Sequence, residues 1–261
     1  PGACRGLVLA AHGARDGRTV EAAYAQAVLI GRRLASAPVE IGFLEFIRPT
    51  ITEAVARMAS RGVDEAVVVP LFLAAGAHVQ RDLPAIVRET AAGHHSSLRL
   101  SATPHVGSRP ALQTIPAGAI DWLGGSPVRP GRSGLLVLAH GSRLRSARSE
   151  THRLAARLAT CTGAAVSACG FLVKGEPRAD AALRQAAGWP VDRLIVHGHF
   201  LFPGRMIDMV GQLVEAMRSA HGDKHWAVTG PLGPGENVTS AVMELFNRAI
   251  PSPPGPERGC C

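Results

Sequence analysis

The chain has 261 residues, 46% hydrophobic and 18% charged, with 28 basic against 20 acidic side chains, a formal charge of +8 and a pI near 10.2. This length fits one large domain or two small ones, and the composition excludes a disordered or collagen-like chain. No apolar run approaches the ~18 residues that would span a bilayer.

In chain order, Pro1 to Gly6 contains nothing resembling a signal peptide, so a soluble cytoplasmic protein is expected. Short continuous apolar runs follow at Leu7 to Ala11, Ile41 to Leu44 and Ala66 to Leu73. Runs of this length suit strands buried on both faces, as in a parallel sheet. The stretches between them carry helical spacing. Thr50 and Glu53, placed after Pro49, form a capping box in which hydroxyl and carboxylate each satisfy an unpaired backbone N–H; the helix it opens runs to about Arg61. Strand and helix alternate as a βαβαβα unit, an α/β architecture with a parallel sheet.

The unit occurs twice. Gly6-Leu-Val-Leu-Ala-Ala-His12-Gly-Ala-Arg15 returns as Gly134-Leu-Leu-Val-Leu-Ala-His140-Gly-Ser-Arg143, and the offset of 128 between His12 and His140 also relates Gly42-Phe43-Leu44 to Gly170-Phe171-Leu172, Pro49 to Pro177, Phe72-Leu73 to Phe200-Leu201 and Gly76 to Gly204. One ungapped register over both halves makes two tandem lobes of domain size. The expected division is a first lobe at 1–123, a linker at 124–133 rich in Gly, Pro and Ser, a second lobe at 134–250, and a flexible tail at 251–261. Five cysteines (Cys4, Cys161, Cys169, Cys260 and Cys261) show neither CxxC nor zinc-ligand spacing, which favours a reducing compartment over a disulfide framework.

Only Lys174 and Lys224 among the 28 basic residues are lysines, so the positive surface is an arginine surface, suited to partners with carboxylates or phosphates. Nucleic acid is not expected: aromatics make up 4% with a single tyrosine, and the arginines are scattered, with Arg143, Arg145 and Arg148 the densest cluster. An anionic small molecule fits the charge equally well.

Ligands of open α/β sheets sit beyond the carboxyl ends of the strands. His12 follows the first strand, Glu45 ends the second and His78 lies after the third, which brings two imidazoles and a carboxylate to one sheet edge. Such a donor set suits borderline divalent ions such as Fe, Co, Ni and Zn, and an imidazole also accepts a proton near neutral pH. Each residue has an ordinary alternative role. His12 can be a strand-end histidine bonded to backbone, Glu45 a surface partner of Arg48 or Arg15, and His78 an exposed loop residue with Asp82 as cap partner of the next helix. The second lobe keeps His140 opposite His12 but has Val173 and Met206 opposite Glu45 and His78, so one working site in the first lobe is expected.

Three motifs, Leu7-Val-Leu-Ala-Ala-His12-Gly-Ala-Arg15, Gly42-Phe-Leu-Glu45 and Pro70-Leu-Phe-Leu-Ala-Ala-Gly76-Ala-His78-Val-Gln-Arg-Asp82-Leu-Pro84, resemble those of the class II tetrapyrrole chelatases, the sirohydrochlorin cobaltochelatase and ferrochelatase group, in its long two-lobe form. The resemblance covers nearly the whole chain outside the tail, including Phe200 to Arg205. It implies a chelatase-like fold with a cleft between the lobes, and insertion of Fe or Co into sirohydrochlorin for siroheme or cobalamin. It also implies metal binding by His12 and His78 with Glu45 assisting, and the metal as a substrate with no permanently bound cofactor. Arg15, Arg143 and Arg205, with His140 and His199, are the expected contacts to the ring; Arg81 is a weaker candidate. Fusion of two lobes leads to the expectation of a monomer, with neither nucleic acid nor membrane as partner. His94, His95 and the Cys260-Cys261 pair carry little weight.

Three other classes share parts of this pattern. A histidine phosphatase needs an arginine immediately before its strand-end histidine, where Ala11 and Ala139 stand here. A dinucleotide enzyme needs G-x-G-x-x-G after the first strand, which is lacking. A metal or tetrapyrrole carrier would use the same ligands, and turnover alone separates it from an enzyme.

Overall fold

The computed structural model describes residues 4–35, 37–93, 98–115, 120–122, 132–222 and 224–249. His94, His95, most of the expected linker and the whole tail lie outside the described residues.

The first sheet is all parallel, in the order β2-β1-β3-β4, from β1 (Arg5–Ala11), β2 (Val39–Phe43), β3 (Glu65–Pro70) and β4 (Arg99–Ala102). Its helices are α1 (Gly17–Leu34), α2 (Ile51–Ser60) and α3 (Leu83–Ala92). The second sheet repeats the plan with β6 (Ser133–Gly141), β7 (Val166–Lys174), β8 (Arg193–Gly198) and β9 (His225–Thr229), with α4 (Arg145–Thr162), α5 (Ala179–Ala187), α6 (Arg205–Ala220) and α7 (Glu236–Arg248). The offset of 128 maps the bounds of α1 onto those of α4 and of β3 onto those of β8. Each lobe has a fourth parallel strand beyond the three read from sequence, because Arg99-Leu-Ser-Ala102 and His225-Trp-Ala-Val-Thr229 are too short and polar to register as apolar runs.

Both sheets are buried on two faces, which is why their strands read as unbroken apolar runs. In β1, Leu7, Leu9 and Ala11 point to one core while Val8 and Ala10 point to the other. The capping box of α2 is present: the Thr50 N–H donates to Glu53 at 2.8 Å and the Glu53 N–H donates to the Thr50 hydroxyl at 3.2 Å.

The expected lobe boundaries need two corrections. Strand β5 (Ile120–Trp122), placed by sequence in the first lobe, pairs antiparallel with β9 and so extends the second sheet. Helix α7, assigned by sequence to the second lobe, packs on the first: Val238, Ala241, Val242, Leu245 and Phe246 join Leu7, Leu9, Val67, Val69 and Ile30 in one core. The reason lies after β4, where the chain forms only two short 3₁₀ turns (Val106–Ser108 and Pro110–Leu112) and cannot cover the face beside α1. In the second lobe the matching face is covered by α4, with Ile115 beside it. No described helix is long and apolar enough to cross a membrane.

Leu245→Ala, distant from any cleft, is expected to lower the stability of the whole chain by about 2–5 kcal/mol, read by urea denaturation. A loss below about 0.5 kcal/mol would contradict the assignment of α7 to the first core.

Candidate metal centre and cleft

The chain after β1 turns sharply at Gly13, whose φ is +87°, and a Cβ there would collide with the Glu45 carbonyl. Glycine therefore follows the histidine because the β1 and β2 ends must approach this closely. Backbone bonds continue past the strands: the Leu44 N–H donates to the Ala11 carbonyl and the Glu45 N–H to the His12 carbonyl, both at 3.0 Å. Glu45 is thereby fixed beside His12. The next residue, Phe46, has φ +69° and lies at the centre of a γ-turn closed by the Ile47 N–H on the Glu45 carbonyl at 2.9 Å. A non-glycine residue in this region costs of order 1–3 kcal/mol, and such strain clusters at functional sites.

His78 opens a single wide helical turn, His78–Asp82, in which the Leu83 N–H reaches the His78 carbonyl before α3 continues. The Nε2 atoms of His12 and His78 face each other at 3.2 Å, with the rings nearly perpendicular at 84°. His12 Nδ1 is 3.0 Å from the Gly13 carbonyl, which can only accept, so Nδ1 carries the hydrogen and Nε2 offers a lone pair. His78 Nδ1 is 2.8 Å from the Asp82 carboxylate, which fixes that ring in the same sense. Asp82 thus orients a histidine and makes no side-chain capping bond to α3. Donor atoms of His12, Glu45 and His78 all lie within 4.8 Å of one another, and no other metal-competent trio occurs among the described residues. At a metal–imidazole distance of about 2.1 Å, a 3.2 Å separation subtends roughly 100° at a shared ion, close to tetrahedral or octahedral geometry.

A cleft of about 510 Å³ is lined by His12 but not by Glu45 or His78, and lies between the first lobe's His12 to Asp16, Thr19 and Phe46 and the second lobe's Phe200 to Phe202 and Gly204 to Met206. Its walls are mostly apolar, with Phe43, Phe46, Leu71, Leu201 and Phe202 prominent. Arg15 lies 5.3 Å above the Phe46 ring, a cation–π contact at the cleft edge, and Arg205 lines the opposite wall. The lobes are clasped here by Arg18, which bonds Asp16 at 2.8 Å and Asp208 at 2.6 Å, while the Asp16 carboxylate accepts the Arg205 N–H at 3.0 Å.

The other expected ring contacts are elsewhere. His140 repeats the backbone bond of His12, Nδ1 to the Gly141 carbonyl at 3.1 Å, but is exposed with Val173 and Met206 opposite the positions of Glu45 and His78. Arg143 and Arg81 are exposed, and among the described residues neither they nor His140 line this cleft. His199 is buried, lines a separate inter-lobe cavity and bonds His197, whose Nδ1 meets the Thr229 hydroxyl at 2.8 Å. It follows the end of β8 and lines that cavity instead of the cleft. The sequence reading missed Phe46, whose left-handed backbone has no signature in G-F-L-E-F, and Asp82 as a histidine partner, although the His-x-x-x-Asp spacing on a helix was available.

Comparison with known proteins agrees with the two-lobe fold. The CbiX family pattern matches residues 6–120 and 134–249. The chain belongs to the CbiX family. A sirohydrochlorin cobaltochelatase of Sulfurisphaera tokodaii is 42% identical over 84 residues, which are 32% of this chain and 68% of that protein. The structure of CbiX described as the terminal enzyme for biosynthesis of siroheme in denitrifying bacteria is 26% identical, with a TM-score of 0.64 over 95% of this chain and all of the other. SirB from Bacillus subtilis with Fe3+ shares the fold at a TM-score of 0.78 and 18% identity, over 94% of each chain.

Burial pushes His197 down to about 4, and burial together with the neighbouring His197 holds His199 well below the ordinary histidine range. Unfolded histidines titrate near ~6.5, so between about pH 6.5 and 4 the unfolded chain binds protons that the folded chain does not, and stability falls as pH falls. Urea midpoints are expected to be level above about pH 7 and to decline through that window. Replacing both histidines with their first-lobe counterparts, His197→Val and His199→Leu, should shallow the decline; an unchanged slope would contradict this source.

Proposed function

We propose that this CbiX-family protein is a sirohydrochlorin chelatase that inserts a divalent ion, Fe or Co, into the free ring at His12, Glu45 and His78, serving siroheme or cobalamin formation. The observation that carries the reading is the juxtaposition of two facing imidazole lone pairs and a carboxylate with an apolar cleft that both lobes build.

The chemistry follows from the ligand set. A divalent ion must shed water and displace two pyrrole N–H protons. His12 and His78 replace waters through Nε2, and Glu45 offsets charge. As the ring nitrogens take the ion, each freed Nε2 accepts one of the two protons, so donors released and protons lost are equal in number. Asp82, bonded to His78 Nδ1, stabilises the imidazolium that results. The flat face of the macrocycle lies against Phe46, Leu201 and Phe202, while Arg15 and Arg205 meet its peripheral carboxylates. Holding ring and ion in register supplies much of the rate. The metal is a substrate, and no permanently bound cofactor is required. One chain supplies both cleft walls, so the active species is a monomer; free thiols at Cys4, Cys161 and Cys169 accord with a reducing, cytoplasmic setting.

In a spectroscopic insertion assay with sirohydrochlorin and Fe or Co in parallel, many metallated rings per protein are expected; a single equivalent would mark a carrier instead. His12→Ala or His78→Ala should cut turnover at least ~100-fold while His140→Ala changes it less than ~3-fold, because the second lobe lacks the other ligands. Equal loss from all three would refute the single site. Asp82→Asn should lower metal affinity by about 10-fold, the size expected when a ligand histidine loses its orienting partner.

A further inference from the structure

Between α4 and the loops after β3, β4 and β8 lies a second cavity of about 250 Å³, lined by His105, Glu150, Thr151, Arg153, Arg157 and His199 among others. The offset of 128 gives it a control within the same molecule. The first lobe places Val69 and Leu71 where β8 and its end carry His197 and His199, Ala22 and Ala25 where α4 carries Glu150 and Arg153, and Leu29 where it carries Arg157. Val69 and Leu71 are buried in the apolar core that α7 closes. Among the described residues no helix equivalent to α7 covers that side of β8 in the second lobe, and the space left is polar.

Several polar groups in this space face the cavity with bonding capacity that the described residues leave unused. His199 is only 8% exposed, its Nδ1 is used by His197 at 3.3 Å, and its Nε2 has no described partner. That nitrogen opens onto the cavity, where water or a ligand can bond it, at a position that is an apolar leucine in the twin lobe. Arg153 and Arg157 sit one turn apart on α4, and neither has an ion-pair partner among the described residues, whereas like charges at this spacing repel on a helix. The cavity holds no preformed cation site, since the only trio of donors close enough among the described residues is His12, Glu45 and His78. The one carboxylate present, Glu150, is engaged by the Ala75 N–H at 3.1 Å and lies 3.7 Å from His105 Nε2.

We propose that this cavity is a binding site for a small oxyanion, held by the guanidinium groups of Arg153 and Arg157 and by the buried imidazole of His199, separate from the metal centre. Guanidinium pairs bind phosphate and carboxylate oxygens through parallel charge-assisted hydrogen bonds, and His199 adds an Nε2–H donor at the base in the tautomer whose Nδ1 accepts from His197 Nε2–H. The site stands apart from the chelatase reading, because its ligand groups are none of those that would hold the ion or the ring.

The test is isothermal titration calorimetry of the full chain at constant ionic strength, with inorganic phosphate in one arm and malonate in the other. Saturable one-site binding with a dissociation constant at or below about 1 mM is expected for at least one of them. Arg153→Ala with Arg157→Ala, both exposed and without packing roles, should weaken it at least ~10-fold with an unchanged circular dichroism spectrum. His199→Leu, which installs the residue of the first lobe, should weaken it as well. No saturable binding of either anion, or equal binding by the wild type and the double arginine variant, would overturn the proposal. Loss of ring metallation in the same preparations would bear on the metal centre alone, since the calorimetric readout contains no metal and no ring.

Discussion

Two imidazoles can share an ion only if both present an unprotonated nitrogen to the same point, and in water neither ring has a reason to do so. Here the backbone carbonyl of Gly13 takes the Nδ1 hydrogen of His12, and the Asp82 carboxylate takes that of His78, leaving two Nε2 lone pairs 3.2 Å apart. Facing lone pairs repel, so the arrangement is poor unless a cation or proton lies between them. The scaffold sustains it by rigidity. His12 leaves a central strand paired on both sides, and the glycine after it permits a contact with the Glu45 carbonyl that any side chain would block. The strained turn at Phe46 is a second consequence of the same close approach, and it turns an exposed ring toward His12 at 5.9 Å and under Arg15.

The duplicated fold isolates what that scaffold can and cannot do alone. The second lobe preserves the strand, the histidine, its bond to the next carbonyl and the left-handed glycine, with φ +88° at Gly141 against +87° at Gly13. It lacks the carboxylate and the second imidazole, and β7 runs on to Lys174 where β2 stops at Phe43 and turns. A strand-end histidine oriented by its own backbone is therefore a property of the fold, and the metal-competent cluster is what the first lobe adds to it. The exchange of α7 explains a further difference. By covering the first sheet it makes the core around Val69 apolar, and it leaves the corresponding space beside His197 and His199 to be lined by side chains of α4.

Much of this was legible in the sequence, for physical reasons that also mark where legibility ends. Parallel strands buried on both faces produce unbroken apolar runs, and an ungapped repeat preserves register, so β1, β3, β6 and β8 and the residues at their ends could be read directly. Thr50 and Glu53 could be read because a capping box is a local interaction with fixed spacing. The short strand Arg99–Ala102 could not, since its residues are half-buried at a sheet edge and carry polar side chains. Nor could the docking of α7, because an amphipathic helix records that it covers an apolar face but not which of two similar faces it covers. The place of His199 could not be read either: it follows the end of β8, and although its counterpart Leu71 lines the cleft, His199 lines the second inter-lobe cavity.

The charge of the chain also finds a partial address. Many arginines are spent on pairing, as with Arg18 on Asp16 and Asp208, Arg57 and Arg61 on Glu40, and Arg109 and Arg248 on Glu244. These pairs are mostly surface contacts of little individual weight, so they set lobe geometry more than stability. Arg15 and Arg205, on the two walls of the apolar cleft, are different in kind: Arg15 rests on an aromatic face, and Arg205 is bonded through its backbone N–H to Asp16. A flat apolar floor with cations on both rims complements a macrocycle that is apolar across its plane and anionic at its edge. Of the candidate ligands His12 itself lines that floor, with Glu45 and His78 donor atoms within 4.8 Å of its own. On the proposed function, charge at the rim would govern capture and orientation, and the fixed lone pairs the exchange of ion for protons.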